Sequence, residues 1–191
     1  MKYILNQRLI SIGDDFTILD ENKDKVFKID GKVLTIGEKL YFSDSNDNKI
    51  FKIKKKLLRL TETYIIEKDG DIYATLKKDL INIIRDKFEI ETPYGTIKVK
   101  GNFIDYDYTF KLNGNEIGKV SKKLISIRDK YIIDIKNFND HALILASAVI
   151  IDMICHNKDD KDNKKEKQKK RWLFIAFLWL REEDSNLQPI G

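Results

Sequence analysis

A short pattern that recurs six times between residues 8 and 133 constrains this 191-residue chain more than any other feature. Each copy has a short, mostly apolar run, then two or three polar turn residues, then a bulky residue, any residue and a second bulky residue. β-Branched and aromatic side chains fill the apolar positions, and the second half of each copy alternates with a period of two, which is typical of β-strands. Each copy therefore predicts a strand, a tight turn and a returning strand. The closing bulky pairs are Phe16/Ile18, Leu40/Phe42, Tyr64/Ile66, Phe88/Ile90, Tyr108/Phe110 and Tyr131/Ile133.

Polar segments between the copies carry a second set of turn signals. They are DENK at 20–23, SDSNDN at 43–48, KDGD at 68–71, TPYG at 92–95 and NGN at 113–115. Such residues favour turns because they accept left-handed backbone or bond to their own backbone. Six hairpins joined by five turns predict about twelve antiparallel strands, and even spacing of short strands indicates a sandwich or a barrel.

Some of the predicted strands are long, as in 26–36 and 117–127. A bulge or bend would let such a strand curve around a closed sheet. We expect these bends at Gly31, Lys55–Lys56, Lys77–Lys78 and Lys122–Lys123.

The segment from Asn139 to His156 has the pattern of a helix without a polar face. Asn139 or Asp140 is a suitable N-cap, and only Ser147 is polar between residues 142 and 151. A helix that is apolar all round must be buried, and a barrel of about twelve strands is too wide for its own side chains to fill. We therefore predict that this helix threads the barrel. The alternatives are that it packs across one open end or between two sheets.

The repeated ISIGDDFTILDENKDKVFKIDGK, the hairpin GNEIGKVSKKLISIRDKYIIDI and the helix NDHALILASAVIID resemble the LURP-one-related family. That family groups with the tubby C-terminal and phospholipid scramblase folds. The resemblance implies a mainly β protein, a twelve-stranded antiparallel closed barrel around a central hydrophobic C-terminal helix, over residues 1–156. It implies little about activity: tubby-like relatives bind phosphoinositide head groups, and scramblase relatives are membrane-associated. The chain lacks the cysteine cluster and the calcium loop expected of a scramblase, and no family ligand residue can be matched to it.

We expect three regions. Residues 1–156 form the barrel with core helix 140–156, residues 157–171 form a charged linker or tail, and residues 172–191 form a short apolar segment and tail. The tract 157–171 holds eight basic and four acidic residues and no apolar residue, so it cannot build a core.

The letters DSNLQP at 184–189 match an antisense reading of a transfer-RNA gene. We therefore expect residues after about 171 to be a read-through addition.

Charge and cysteine content narrow the class of protein further. The net charge is +5, most of it in 157–171, and there is one cysteine, so no internal disulfide framework is expected. No apolar stretch reaches the length of a membrane-spanning helix, and the first fifteen residues do not read as a secretory signal. We expect a cytoplasmic protein, peripheral to membranes at most.

No motif for catalysis, for a cofactor or for a metal emerges from the sequence. Asp152 and His156 are four residues apart on the predicted helix, but two ligands do not make a metal site. Glycine-rich phosphate loops and the Gly-x-Ser-x-Gly elbow are both missing. We therefore predict a non-enzymatic protein with no cofactor. The alternative is an enzyme whose residues converge only in three dimensions.

Three runs of lysine occupy matching positions in three of the copies and are our candidate contacts for an anionic surface. They are Lys54, Lys55 and Lys56, then Lys77 and Lys78, then Lys122 and Lys123. The competing interpretation is that lysine on a strand serves solubility and protects sheet edges. The functions we carry forward are binding or tethering at an anionic membrane surface, or to a partner protein. Nucleic-acid binding through the basic tract is a weaker alternative, since exposed aromatic residues interleaved with basic ones are missing.

Overall fold

Twelve antiparallel strands and one helix make up the part of the chain that the structure describes. This computed structural model describes residues 1–6, 16–30, 39–56, 62–79, 87–122 and 130–155. The strands are β1 (Lys2–Asn6), β2 (Phe16–Asp20), β3 (Lys25–Ile29), β4 (Lys39–Asp44), β5 (Lys49–Lys56), β6 (Thr63–Lys68), β7 (Asp71–Asp79), β8 (Lys87–Thr92), β9 (Gly95–Asn102), β10 (Asp107–Leu112), β11 (Asn115–Ser121) and β12 (Lys130–Ile135). The helix, α1, spans residues 141–155.

The strands close into a barrel in which each one pairs with its neighbours along the chain. β1 completes the ring because it pairs with β2 on one side and with β12 on the other, where Ile4 lies opposite Ile132. The amino group of Met1 donates to the carbonyl of Ile135 at 2.8 Å, which ties the chain start to the last strand. The predicted barrel of about twelve antiparallel strands is confirmed.

The bulky pairs identified in the sequence form the inner wall of the barrel. Leu40, Tyr64 and Tyr108 are buried together with their partners two residues on, and the same holds for every pair whose side chains the structure describes. Residues of alternate parity face outward, as the period of two requires. The repeat therefore marks the inward face of each returning strand.

Helix α1 is buried on all sides. Every residue from Leu143 to Ile154 is at most 3% exposed, and these residues share one hydrophobic core with the inner wall. Gly118 of β11 is where the wall and the helix come close, since a Cβ built there would lie 3.3 Å from Ile144 Cγ2. A closed barrel of this size needs such a filling, and a helix is about 10–12 Å across with its side chains. The predicted central helix is confirmed.

Four register shifts are found between described strands, and they lie near the turns that separate the copies. They fall at Ile18/Leu19, Phe42/Ser43, Ile66/Glu67 and Phe110/Lys111. The bends expected at Lys55–Lys56 and Lys77–Lys78 coincide with no register shift, and those at Gly31 and Lys122–Lys123 fall wholly or partly outside the described residues. The shifts lie at the turns because short hairpin loops with left-handed residues commonly bring a bulge beside them.

Residues Met1–Cys155 form one compact unit. Within the described ranges, no helix combines the length and the apolar character needed to cross a bilayer. The expected linker 157–171 and tail 172–191 lie outside the described residues and stay predictions.

Candidate anion-binding groove

Most of the lysines singled out in the sequence lie on the wall formed by β5, β6 and β7. Lys54, Lys55 and Lys56 are on β5, Lys77 and Lys78 are on β7, and β6 separates the two strands. Lys122 follows β11, four strands beyond β7 around the barrel. Lys123 lies outside the described residues. The structure therefore does not bring the three runs into one patch.

The lysines on the β5–β7 wall are compensated by acidic neighbours. Lys54 Nζ lies 2.5 Å from Glu67 Oε1, and this hydrogen bond raises the pKa of Lys54 and lowers the pKa of Glu67. Lys55 Nζ lies 2.9 Å from Glu62 Oε1. An ammonium group that already has a carboxylate partner has less charge to offer an external anion.

Two further lysines of these runs also have partners within the fold, one a carboxylate and the other an aromatic ring. Lys77 Nζ lies 2.6 Å from Glu91 Oε1. Lys78 Nζ lies over the Phe88 ring, 5.9 Å from its centroid. Their role as anion contacts stays a prediction, and the structure gives them competing partners.

A different group of lysines lines an open groove of about 860 Å³ on the outer wall of β8, β9 and β10. The lining residues are Glu89, Thr96, Lys98, Lys100, Thr109, Lys111, Asn113 and Gly114. We call this surface the lysine groove. Three ammonium groups against one carboxylate give it a net positive lining, and its threonine hydroxyls and asparagine amide add hydrogen-bond donors.

Strand register explains why the ammonium groups cluster. Lys98 of β9 lies directly opposite Lys111 of β10. Lys100, two residues along β9 and on the same face, lies opposite Lys87 of β8. Directly opposite side chains in an antiparallel pair have Cβ atoms about 4.5–5.5 Å apart. Four lysines on three adjacent strands thus share one face of the sheet.

Within the described part of the chain, Lys98, Lys100 and Lys111 form no ion pair. No described carboxylate oxygen lies within 4.0 Å of the Nζ atom of Lys98, Lys100 or Lys111. Like charges directly opposite each other in a sheet are destabilising. The lysine groove therefore keeps two like-charge cross-strand pairs, although Glu89 lies opposite Lys98 and Glu116 lies opposite Lys111 on their other sides.

The turn between β10 and β11 forms one end of the lysine groove. Asn113 and Gly114 have φ angles of 51° and 84°. Positive φ at both central residues of a two-residue loop is the backbone that an Asn-Gly sequence favours in hairpins. The hairpin thus holds the Asn113 side chain beside the lysines.

Sequence reasoning missed the lysine groove because it looked for consecutive lysines. Neighbours on a strand face opposite sides of the sheet, so a Lys-Lys pair does not concentrate charge on one face. The informative signal is the alternation Lys98-Val99-Lys100, in which both lysines must face outward once Val99 faces inward. That Lys111 and Lys87 join them depends on register, which the sequence does not specify on its own.

A second polar cluster holds the start of α1 at the end of the barrel formed by the short turns. Asp140 Oδ1 accepts from the backbone amide of Leu143 at 3.1 Å, which confirms Asp140 as the N-cap. Its Oδ2 accepts from Tyr73 Oη at 2.6 Å and lies 3.4 Å from Tyr94 Oη. Burial, together with the hydrogen bond to Asp140, raises the pKa of Tyr73. Because every contact joins the helix start to the wall, this cluster serves the fold.

The far end of α1 carries a buried acidic residue, Asp152. Burial first, and the charge of Asp152 next, raise the pKa of the Tyr108 and Tyr131 hydroxyls well above the usual tyrosine range. His156, four residues further along the predicted helix, lies outside the described residues. Within the described ranges, no three His, Cys, Asp or Glu side chains are placed to hold a metal ion.

Comparison with known proteins agrees with the architecture. The family model described as LURP-one-related matches residues 1–152. The X-ray structure of a protein from Arabidopsis thaliana is similar to this chain with a TM-score of 0.54 and 13% sequence identity, covering 80% of this chain and 91% of that one. At that identity the likeness shows a shared fold. No curated protein matches the chain. Because the family match spans the entire barrel and most of α1, the chain belongs to the LURP-one-related family.

Proposed function

We propose that this protein is a non-enzymatic barrel that binds at an anionic membrane surface through the lysine groove. The observation that carries the proposal is that Lys98, Lys100 and Lys111 lie together on one face of β9 and β10 and form no ion pair within the described residues. Each basic residue near an anionic membrane contributes about 1 kcal/mol of attraction, so three add up to a useful affinity.

The contrast with the rest of the wall supports the proposal. The Nζ atoms of Lys54, Lys55 and Lys77 each lie 2.5–2.9 Å from a carboxylate oxygen. Among the described residues, lysines without an ion pair, such as Lys56, also occur outside the lysine groove. The lysine groove instead groups cations in spite of their repulsion. Unfavourable local interactions that persist in a folded protein tend to mark functional surfaces.

The lining of the groove suits binding better than catalysis. It offers ammonium groups, hydroxyls and an amide, with Glu89 as its one carboxylate. None of its lysines is buried, so desolvation does not prepare any of them as a base or a nucleophile. A partner protein with an acidic surface is the competing occupant, and a vesicle experiment separates it from a membrane.

The test is co-sedimentation of the full chain with vesicles of phosphatidylcholine alone or mixed with phosphatidylglycerol. The triple variant K98Q/K100Q/K111Q removes the charge of the lysine groove. The matched control K54Q/K55Q/K77Q removes the same number of charges from the β5–β7 wall. Both variants keep the basic tract 157–171, so any binding through that tract is equal in the two proteins.

We expect native chain and control to sediment with anionic vesicles and not with neutral ones, and the groove variant to lose at least tenfold in affinity. Binding should weaken with added salt, because the attraction is screened. Native-like binding by the groove variant, or an equal loss in the control, would refute the proposal. Binding to neither kind of vesicle would leave the acidic partner protein as the occupant.

A further inference from the structure

The arrangement of donors in the lysine groove is more specific than a diffuse positive surface requires. Lys98 and Lys111 are directly opposite, Lys100 is the next outward residue on β9, and Thr109 lies opposite Lys100 on β10. Successive outward residues on one strand are about 6.6–7 Å apart. Long, flexible lysine side chains at these spacings can converge on a single small anion.

We infer that the lysine groove recognises a phosphomonoester group, and this inference rests on the proposed function. Two adjacent ammonium groups match a dianion better than a monoanion, because the second cation is then neutralised as well. A phosphomonoester carries a charge of about −1.5 to −2 at neutral pH and three acceptor oxygens. A phosphodiester carries a single charge and two unesterified oxygens.

The donor types in the groove agree with this ligand class. Lysine binds phosphate as a compact point charge with three rotatable donors. The groove lining supplies three such ammonium groups. Thr96, Thr109 and Asn113 add neutral donors at its edge, which can bond to the remaining oxygens.

The one acidic residue of the lining is consistent with a selective site. Glu89 of β8 lies opposite Lys98, on the side away from Lys111. Its carboxylate lowers the net positive charge of the groove, so a weakly charged anionic surface is attracted to the groove less strongly. Glu116 of β11 lies opposite Lys111 on the other side. A ligand that contacts Lys98 and Lys111 together therefore lies between these two acidic residues.

The same chemistry occurs in a lipid headgroup and in soluble metabolites, so the experiment has two arms. In the first, the full chain is titrated with phosphatidylcholine vesicles containing phosphatidic acid, a monoester, or phosphatidylglycerol, a diester, at equal surface potential. In the second, thermal unfolding is followed with glycerol 3-phosphate or dimethyl phosphate at equal ionic strength, since a bound ligand raises the unfolding temperature. The double variant K98Q/K111Q and the control K54Q/K77Q are measured in both arms.

We expect about tenfold tighter binding to phosphatidic acid than to phosphatidylglycerol at pH 7.5, as one more charge-assisted contact would give. The preference should shrink at pH 5.5, because the second ionisation of a phosphomonoester has a pKa near 6. K98Q/K111Q should lose the preference while the control keeps it. A stabilisation by glycerol 3-phosphate without vesicle binding would support phosphomonoester recognition from a soluble source and would refute binding at a membrane surface.

Two results would overturn the inference, and they differ in what they say about the proposed function. Equal binding to the two anionic vesicles at pH 7.5 would refute phosphomonoester recognition and leave membrane binding intact. No binding to any vesicle and no stabilisation by glycerol 3-phosphate would refute both.

Discussion

Among the glycines that the structure describes, Gly101 leaves the least room for a side chain. Its φ is +149°, and a Cβ built there would lie 2.5 Å from Tyr108 Cα and would overlap the carbonyl oxygen of Asp107. Because both atoms belong to the paired strand β10, neither can move without breaking the sheet. The glycine therefore permits the close approach at the end of the β9–β10 hairpin.

We expect Gly101→Ala to lower the free energy of unfolding by about 2–4 kcal/mol, through strain and overlap with β10. Gly70 is the control, since its φ is +96° and a Cβ there would meet nothing within 4 Å. Gly70→Ala should cost about 1 kcal/mol, from backbone strain alone. Urea denaturation of the two variants measures the difference, and equal losses would contradict this account.

His141, the first residue of α1, gives the protein a predictable pH dependence. Burial, reinforced by the charge of the amino terminus, lowers the pKa of His141 below its usual 6.5. Its Nδ1 lies 2.7 Å from Tyr3 Oη. The folded chain thus takes up this proton at lower pH than the unfolded chain does, so stability falls as the pH drops below about 6.5.

We expect the native protein to lose more stability than His141→Gln between pH 7 and pH 5, because the variant lacks the titrating group. Comparing the two proteins cancels the contributions of the carboxylates that both share. Denaturant midpoints across this pH range make the comparison. A parallel fall in the two proteins would show that His141 does not contribute.

At the scale of the elements, we expect the cross-strand lysine pairs to lower the stability of the barrel while they favour binding of an anionic surface. Lys100→Glu would place a carboxylate opposite Lys87 and beside the neutral Thr109, replacing a like-charge pair with an opposite-charge pair. We expect K100E to be as stable as the native protein or more stable by about 0.2–1 kcal/mol. The same change should weaken vesicle binding.

The matched control for this prediction is a lysine-to-glutamate substitution that should change stability in the opposite direction. Lys54→Glu would set a carboxylate against Glu67, the present partner of Lys54, and should lower stability. Thermal unfolding and vesicle co-sedimentation of both variants make the test. A clear loss of stability in K100E would show that the lysine groove is compensated in some other way.

The N-cap of α1 links the helix to the wall of the barrel, so its loss should lower the stability of the folded protein. Asp140→Ala removes the bond to the Leu143 amide and leaves the Tyr73 hydroxyl without this acceptor. We expect a loss of about 2–3 kcal/mol. Asp140→Asn should cost less, because an amide oxygen also caps. Calorimetry of the two variants gives the order, and equal stabilities would contradict the role of Asp140.

For the elements, the sequence patterns were sufficient to predict strand number, strand type and the buried helix. The repeat fixes which residues face inward, because a period of two leaves no other choice once Ile66 or Phe110 must be buried. The bulges were expected elsewhere, at positions that include Lys55–Lys56 and Lys77–Lys78, where the strand pairing shows no register shift. The observed positions of the bulges depend on which of the two strands beside each turn, such as the turn at Asp44–Asn48, contains the extra residue.

The candidate site was harder to predict, for a reason that concerns the whole molecule. Whether a lysine is available to a ligand depends on its neighbours across the strands. Lys54 bonds to Glu67, which lies opposite Lys52, only because β5 pairs with β6 in this register. Lys98 and Lys111 are 13 residues apart in sequence and meet only because β9 and β10 pair in one register. A run of lysines shows which charges are adjacent in sequence, whereas a binding face combines residues from several paired strands.

At the scale of the whole molecule, the inner wall of the barrel and α1 are buried against each other in one core. We expect recognition on the outside of the barrel, where the lysine groove lies. This interpretation places the wall of β8–β10 against the membrane.

Lysine footprinting of the native chain tests that claim most directly, because it needs no substitution. Acetylation rates are measured by mass spectrometry with and without anionic vesicles. We predict that Lys98, Lys100 and Lys111 become at least severalfold slower to react when vesicles are present, while Lys55 and Lys77 keep their rates. Unchanged rates at the three groove lysines, in a protein that nevertheless sediments with the vesicles, would contradict the account.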